Sequence, residues 1–301
     1  MRQSEKLKSV VVQIVNGFVA GSIGGNPAGV VLDADTLDEK EMQAVAAKVG
    51  LSETAFVSAS ATEGFKLDFF TPTMRIAHCG HATIAAFSHL AGLGRIGDGV
   101  TSKETVDGPR RIVIKDGAAY MEQTAPVYQT EGFWGAEVRV DEIVASLGLT
   151  TGDLDARIAP MVVDTGNRFL VIGVQDEKIL RNIMPDLASI DEVSSRLNLV
   201  GYYVFVSPPA SGLHDATTRM FAPRYGIPEE SATGMAAGPL ACLLHDHLGA
   251  GKSTLIIDQG HFMTPPSPSL ITVELEVAGG AITGLMAGGF ARVSGERCIT
   301  V

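Results

Sequence analysis

One feature constrains this 301-residue chain more than any other: it repeats itself once. Phe69-Phe70-Thr71-Pro72 is followed by a loop and then by Cys79-Gly80-His81-Ala82-Thr83, which opens an apolar helix ending near Gly94. Met220-Phe221-Ala222-Pro223 is followed by a longer loop and then by Thr233-Gly234-Met235-Ala236-Ala237, which opens a second apolar helix ending near Gly249. Cys79 and Thr233 stand 154 residues apart, about half the chain. Each copy reads strand, proline turn, loop, glycine at a helix start, buried helix. The favoured reading is a two-domain protein from an ancient duplication; the bland alternative is two unrelated strand–loop–helix units of similar composition.

The flanking segments fit an α/β plan. Val10–Val15 is β-branched and reads as a strand, Gly24-Gly25-Asn26-Pro27 as a turn, and Ala28–Leu32 as a second strand. Thr36–Val49 reads as a helix, with Thr36 and Glu39 as a capping box and Gly50 as the stop. Thr54–Ser58 and Phe65–Phe70 read as strands. In the second half, Val140–Leu147 reads as a short helix, and Phe169–Val174, Tyr202–Ser207, Thr217–Phe221 and Leu270–Val277 as strands. Ile282–Val293 reads as a closing hairpin. The helices His81–Leu93 and Met235–Leu248 are apolar all round and should be buried. Their alanines and glycines let surrounding strands approach closely.

Composition excludes several classes. The chain is 46% hydrophobic, too apolar for disorder, and 23 Lys+Arg against 34 Asp+Glu give a net charge of −11, which argues against a nucleic-acid partner. No apolar run has the length of a membrane span, and the charged N-terminal stretch is not followed by a signal-peptide core. Cys79, Cys242 and Cys298 are scattered and odd in number, which fits a reducing, cytoplasmic setting. No phosphate loop, HExxH, GxSxG or metal-ligand spacing is present, so the expectation is an enzyme without cofactor or metal.

The two helix starts are the leading candidates for chemistry. A helix N-terminus presents backbone N–H groups and positive potential, and glycine lets a ligand approach. Cys79-Gly80 and Thr233-Gly234 could therefore seat a carboxylate, in a cleft between the halves. Glu53 stands between Gly50 and an apolar strand; apolar surroundings would raise its pKa and suit it to acid/base work. An exposed turn carboxylate is the equally ready alternative. His81 could shuttle a proton or simply be a satisfied helix-start histidine, and His78 reads as a loop residue. Glu230, beside Glu229, is a second acid/base candidate or a dipole-complementary charge. Cys79 at a helix N-terminus is expected to have a lowered pKa. Thr233 at the mirror position is too weak a base for a two-thiol racemase.

Together, Gly25-Asn26-Pro27-Ala28-Gly29-Val30-Val31, Leu51-Ser52-Glu53-Thr54-Ala55-Phe56-Val57, Phe70-Thr71-Pro72, Cys79-Gly80-His81-Ala82-Thr83 and Pro228 to Pro239 resemble the phenazine-biosynthesis PhzF-like isomerases. The resemblance implies the diaminopimelate-epimerase-like fold, α/β (α+β), with two similar domains, each a barrel-like sheet around a central helix. The expected boundaries are 1–122 plus 286–301 for the first domain and 123–285 for the second. It also implies a homodimer, with Glu53 as the proton-shuttling acid/base, His81 assisting and Glu230 contributing. Asn26, Cys79, Gly80, Thr233, Gly234 and Met235 are the expected substrate-binding positions. Three features depart from the family pattern: Glu230 where Asp is frequent, Met235 where Ser is frequent, and Phe262-Met263-Thr264-Pro265-Pro266-Ser267 where an Arg-Pro-Ser motif is common.

The leading expectation is a cofactor-independent isomerase moving a proton on a small carboxylate-bearing substrate. The alternatives are an amino-acid racemase or epimerase, and a non-catalytic binding or interaction protein on the same scaffold.

Overall fold

A computed structural model describes residues 8–209 and 211–301. Most of the N-terminal stretch read against a signal peptide, residues 1–7, lies outside the described residues. Among the described residues no helix is long and apolar enough to cross a membrane.

The chain divides into two compact units. The first takes the chain up to Ser22, Asn26–Met121 and Gly289–Val301; the second takes Ile23–Gly25 and Glu122–Gly288. In the first unit, Ser9–Gly17 pairs antiparallel with Asn26–Val31, which runs parallel to Thr54–Ser58. That strand is antiparallel to Phe65–Phe70, which is parallel to Gly99–Glu104. Antiparallel Arg110–Lys115 and Ala118–Thr124 complete the series.

The second unit repeats this order. Met161–Asp164 is antiparallel to Arg168–Gly173, which is parallel to Gly201–Val206. Ala216–Ala222 follows antiparallel, Thr254–Gln259 parallel, and Ser269–Ala278 and Ala281–Gly289 antiparallel. Even the short strands correspond, with Arg75–Ile76 on Phe65–Phe70 and Ile227–Glu230 on Ala216–Ala222, both antiparallel. Two chains of pairings with the same sense at every step are what a duplication produces.

Each sheet curls around one helix. Gly80–Gly92 packs on Ser9–Gly17 and on Arg110–Lys115, strands far apart in the pairing series. Gly234–Leu248 likewise touches Met161–Asp164 and Ser269–Ala278. Most of the first helix is buried, and so is the second from Ala236 to Leu244, whose last turn carries the exposed Asp246 and His247. Close approach explains the small residues. A Cβ at Gly238 would stand 2.3 Å from Gln123 Oε1, and one at Gly17 would stand 3.1 Å from the His81 carbonyl oxygen.

Three local readings are corrected. The helix expected over Thr36–Val49 is Glu39–Val49, and its capping box is Asp38 with Glu41 rather than Thr36 with Glu39. Ala34–Thr36 forms a 3₁₀ turn, and the extended Leu37 packs against the core cluster of Val45, Ala46 and Val49, which leaves Asp38 as the cap. The amphipathic helix Leu187–Arg196 was not anticipated; Asp186 caps it by accepting from Ala188 and Ser189, and Ile190 and Val193 are buried. The closing segment is not one hairpin: Ala281–Gly289 extends Ser269–Ala278 in the second unit, whereas Ala291–Thr300 runs along Ser9–Gly17 in the first.

Candidate active site

In the first unit, strand pairing and the buried helix bring three titratable groups together. Glu53 directly precedes Thr54–Ser58, and its carbonyl accepts the Gly29 N–H at 3.0 Å, which fixes it at the end of the parallel pair. Cys79 is the N-cap of the buried helix, and His81 is the second residue within it. His81 Nε2 lies 3.2 Å from Glu53 Oε2, and His81 Nδ1 lies 3.6 Å from Cys79 Sγ. All three are almost fully buried, Glu53 retaining 8% exposure, His81 5% and Cys79 4%. Gly80 opens the helix between them, and the buried Asn26 opens its strand opposite Gly17.

Two expected pKa directions are reversed. Burial pushes the Glu53 carboxyl up, but His81 beside it, with Ser52 adding, outweighs burial and holds the carboxyl below the ordinary glutamate value. Burial pushes the Cys79 thiol above its ordinary value; His81 opposes this and Glu53 adds to it. The helix start alone suggested the opposite for Cys79, because desolvation of a buried thiolate exceeds the dipole's contribution.

Donor atoms of Glu53, Cys79 and His81 lie within 4.8 Å of one another, a spacing compatible with a metal ion. The imidazole, however, directs one nitrogen to each partner. An ion takes a single ring nitrogen, so the arrangement fits a proton relay, carboxylate to imidazole to thiol, better than a metal centre.

The second unit builds a different site at the equivalent helix start. Thr233 donates its hydroxyl to Glu230 Oε2 instead of capping the helix that begins with Gly234 and Met235. Both are organised by Gln259, which sequence reasoning missed. Its Oε1 accepts from the Thr233 N–H at 3.1 Å and from the Tyr203 hydroxyl at 2.9 Å. Its Nε2 donates to the Glu230 carbonyl at 2.7 Å and meets Thr233 Oγ1 at 3.2 Å. Burial pushes the Tyr203 hydroxyl well up, so it stays a donor, and Thr218 donates to it in turn. Met235 is partly buried, with Asn167 Nδ2 3.5 Å from its sulfur.

The adjacent acids have separate tasks. Glu229 is held in two hydrogen bonds by Arg219, which also donates to the carbonyls of Leu180, Arg181 and Ile183. Glu229 is therefore structural, while Glu230 faces the helix start. Gly260, next to Gln259, has φ of +82°, and a Cβ there would strike the Ser267 carbonyl oxygen at 2.1 Å, so this turn requires glycine.

The family model described as phenazine biosynthesis-like protein matches residues 15–292. A protein of Deinococcus radiodurans named as an uncharacterized isomerase is 34% identical over 282 residues, covering 90% of this chain and 89% of its own. A crystal structure of a PhzF-family phenazine biosynthesis protein from Bacillus anthracis superposes with a TM-score of 0.87 at 25% identity, covering 98% of this chain and all of the other. A hydroxyproline epimerase from Agrobacterium vitis, solved with bound trans-4-hydroxy-L-proline, shares the fold with a TM-score of 0.61 at 14% identity, over 99% of this chain and 93% of its own.

Proposed function

The chain belongs to the PhzC-PhzF family of phenazine biosynthesis-like proteins, and from that premise we propose that it is an isomerase moving a proton on a small carboxylate-bearing substrate, with Glu53 as the acid/base. One observation carries the reading: a buried carboxylate paired to a buried imidazole at the start of a buried helix. With its pKa lowered, Glu53 is ionised at neutral pH and begins as the base. It takes the proton from a carbon made acidic by a neighbouring carbonyl or unsaturated group. The electron pair of the broken C–H bond passes into that group, and the Glu53 carboxylic acid, exchanging with solvent between the two transfers, delivers a proton to a different carbon. No net redox change occurs, and every group required is on the chain.

His81 stabilises the ionised Glu53 between turnovers and orients its carboxylate. Gly80 and the first backbone amides of the helix supply positive potential for a substrate carboxylate or developing negative charge. Glu230, hydrogen-bonded by Thr233, is assigned the acid/base or orienting role of the second unit. The name of the Deinococcus radiodurans relative supports the reaction class.

A racemase or epimerase reading requires a second base, and Thr233 at the position equivalent to Cys79 donates its hydroxyl to Glu230 instead of offering one. Cys79→Ser separates the readings: loss of all turnover favours thiol chemistry, and retention favours Glu53. The direct test is Glu53→Gln, expected to abolish deuterium incorporation from D₂O into any turned-over substrate while the fold is kept. Retained exchange in that variant would rule the assignment out.

A further inference from the structure

The strand Gly99–Glu104, Gly-Val-Thr-Ser-Lys-Glu, has the composition of a solvated strand, yet Lys103 within it is fully buried. Its Nζ donates to Thr83 Oγ1 at 2.7 Å, lies 3.1 Å from His78 Nδ1, and sits 5.0 Å from the centre of the Phe69 ring. Thr83 passes its own hydroxyl proton to the Cys79 carbonyl at 2.6 Å. The amine thus reaches Cys79 from both sides, through Thr83 to its carbonyl and through His78 to the preceding residue. The titratable groups set against it are His78 and Cys79 before the helix, Arg110 on the adjoining strand and Asp107 in the turn between. No carboxylate is in hydrogen-bond contact with the amine among these interactions. A buried lysine so placed is costly to the fold.

We propose that Lys103 is a positioning residue for the Glu53–His81–Cys79 cluster, fixing the segment from His78 to Thr83 and placing a positive charge behind Cys79. This inference rests on the reading that the cluster handles the substrate's proton, but its test needs no substrate. Burial, with Arg110 adding and Cys79 and Asp107 opposing, brings the Lys103 amine down to about 7. Its charge is therefore present below neutrality and fades above it. His78 is kept neutral by burial, with Lys103 and Arg110 adding to the effect, which leaves its Nδ1 free to accept from the amine.

The experiment follows alkylation of the full chain by iodoacetamide from about pH 6 to about pH 10. Mass spectrometry reads the Cys79 peptide, with the exposed Cys298 as internal reference. Lys103→Met keeps the stem and removes the charge. The Cys79 labelling rate of this variant should fall about tenfold below the parent's at about pH 6, where the parent amine is charged, and converge on it above about pH 8, with Cys298 unchanged throughout. Lys103→Arg keeps a permanent charge and should hold the Cys79 rate at or above that of the parent across the whole range. A residue that merely fills space would change the rate by one factor at every pH. A pH-independent ratio of parent to Lys103→Met, or an equal low-pH loss in Lys103→Arg, overturns the proposal. Should Lys103→Met fail to fold by circular dichroism, Lys103→Gln is read by the same criterion. These outcomes are independent of the Glu53→Gln exchange experiment, so either idea can fall alone.

Discussion

His81 Nε2 stands 3.2 Å from the Glu53 carboxylate, and this pair sets the ionisation of the site. Because His81 and Ser52 together outweigh burial, Glu53 is more acidic folded than unfolded. A depressed carboxyl pKa stabilises the fold above the unfolded value, ordinarily 4.5, and that contribution is lost as pH falls through the folded value. The parent's stability advantage over Glu53→Gln should therefore be full near neutrality and disappear progressively below about pH 4.5. Urea midpoints of the two proteins across that range read it directly. An advantage that grows on acidification would mean that burial, not His81, dominates.

Close packing around the second buried helix predicts opposite outcomes for two glycines. Gly238→Ala places a methyl group against Gln123 Oε1 and, at 2.7 Å, against Leu285 Cδ1. Gln123 cannot swing away cheaply, since it donates to the Gly234 carbonyl and accepts from Thr165. The expected loss is about 1–3 kcal/mol. Gly92, at the end of the first buried helix, has open space around a Cβ. Gly92→Ala should be neutral or stabilising by up to about 1 kcal/mol. Equilibrium denaturation of both variants checks the contrast.

Gln259 should be as sensitive as a core residue. Gln259→Leu leaves the Thr233 N–H and the Tyr203 hydroxyl without their shared acceptor and the Glu230 carbonyl without its donor. Each orphaned buried group costs about 1–3 kcal/mol. The variant should unfold at markedly lower urea, with Tyr203→Phe recovering part of the loss in the double variant by removing one orphan.

The neighbouring acids should part company. Glu229→Gln weakens the clamp on Arg219 and should lower the melting temperature, with turnover falling only as far as folded protein does. Glu230→Gln leaves that clamp intact and should lower turnover with the melting temperature nearly unchanged. Differential scanning calorimetry with an isotope-exchange assay separates the two effects.

Much of the fold could be read from residues in local patterns. The glycine-led helix starts at Gly80 and Gly234, the apolar helices behind them and the β-branched strands all carry their signal within a few neighbours. The repeat then reported the duplicated topology, because the same strand–loop–helix order recurs. What escaped reading depends on partners distant along the chain. Gln259 lies 26 residues from Thr233, and nothing around it marks a buried network. Lys103 looks solvated in its strand and becomes buried only when Thr83 and His78 close over it. The Glu53 pKa turned on His81, 28 residues away, which local apolarity could not reveal. Thr36 lost the helix cap to Asp38 because two capping patterns overlap and tertiary packing of Leu37 chose between them.

The central claim is that Glu53 is the group that carries the substrate's proton. A metabolite pool screened by thermal shift identifies a substrate, and NMR in D₂O then follows its turnover by the parent and by Glu53→Gln. The parent should incorporate solvent deuterium at the new carbon position, and Glu53→Gln should bind the same compound with a comparable thermal shift and incorporate none. Deuterium incorporation by Glu53→Gln at the parent's rate would contradict the account.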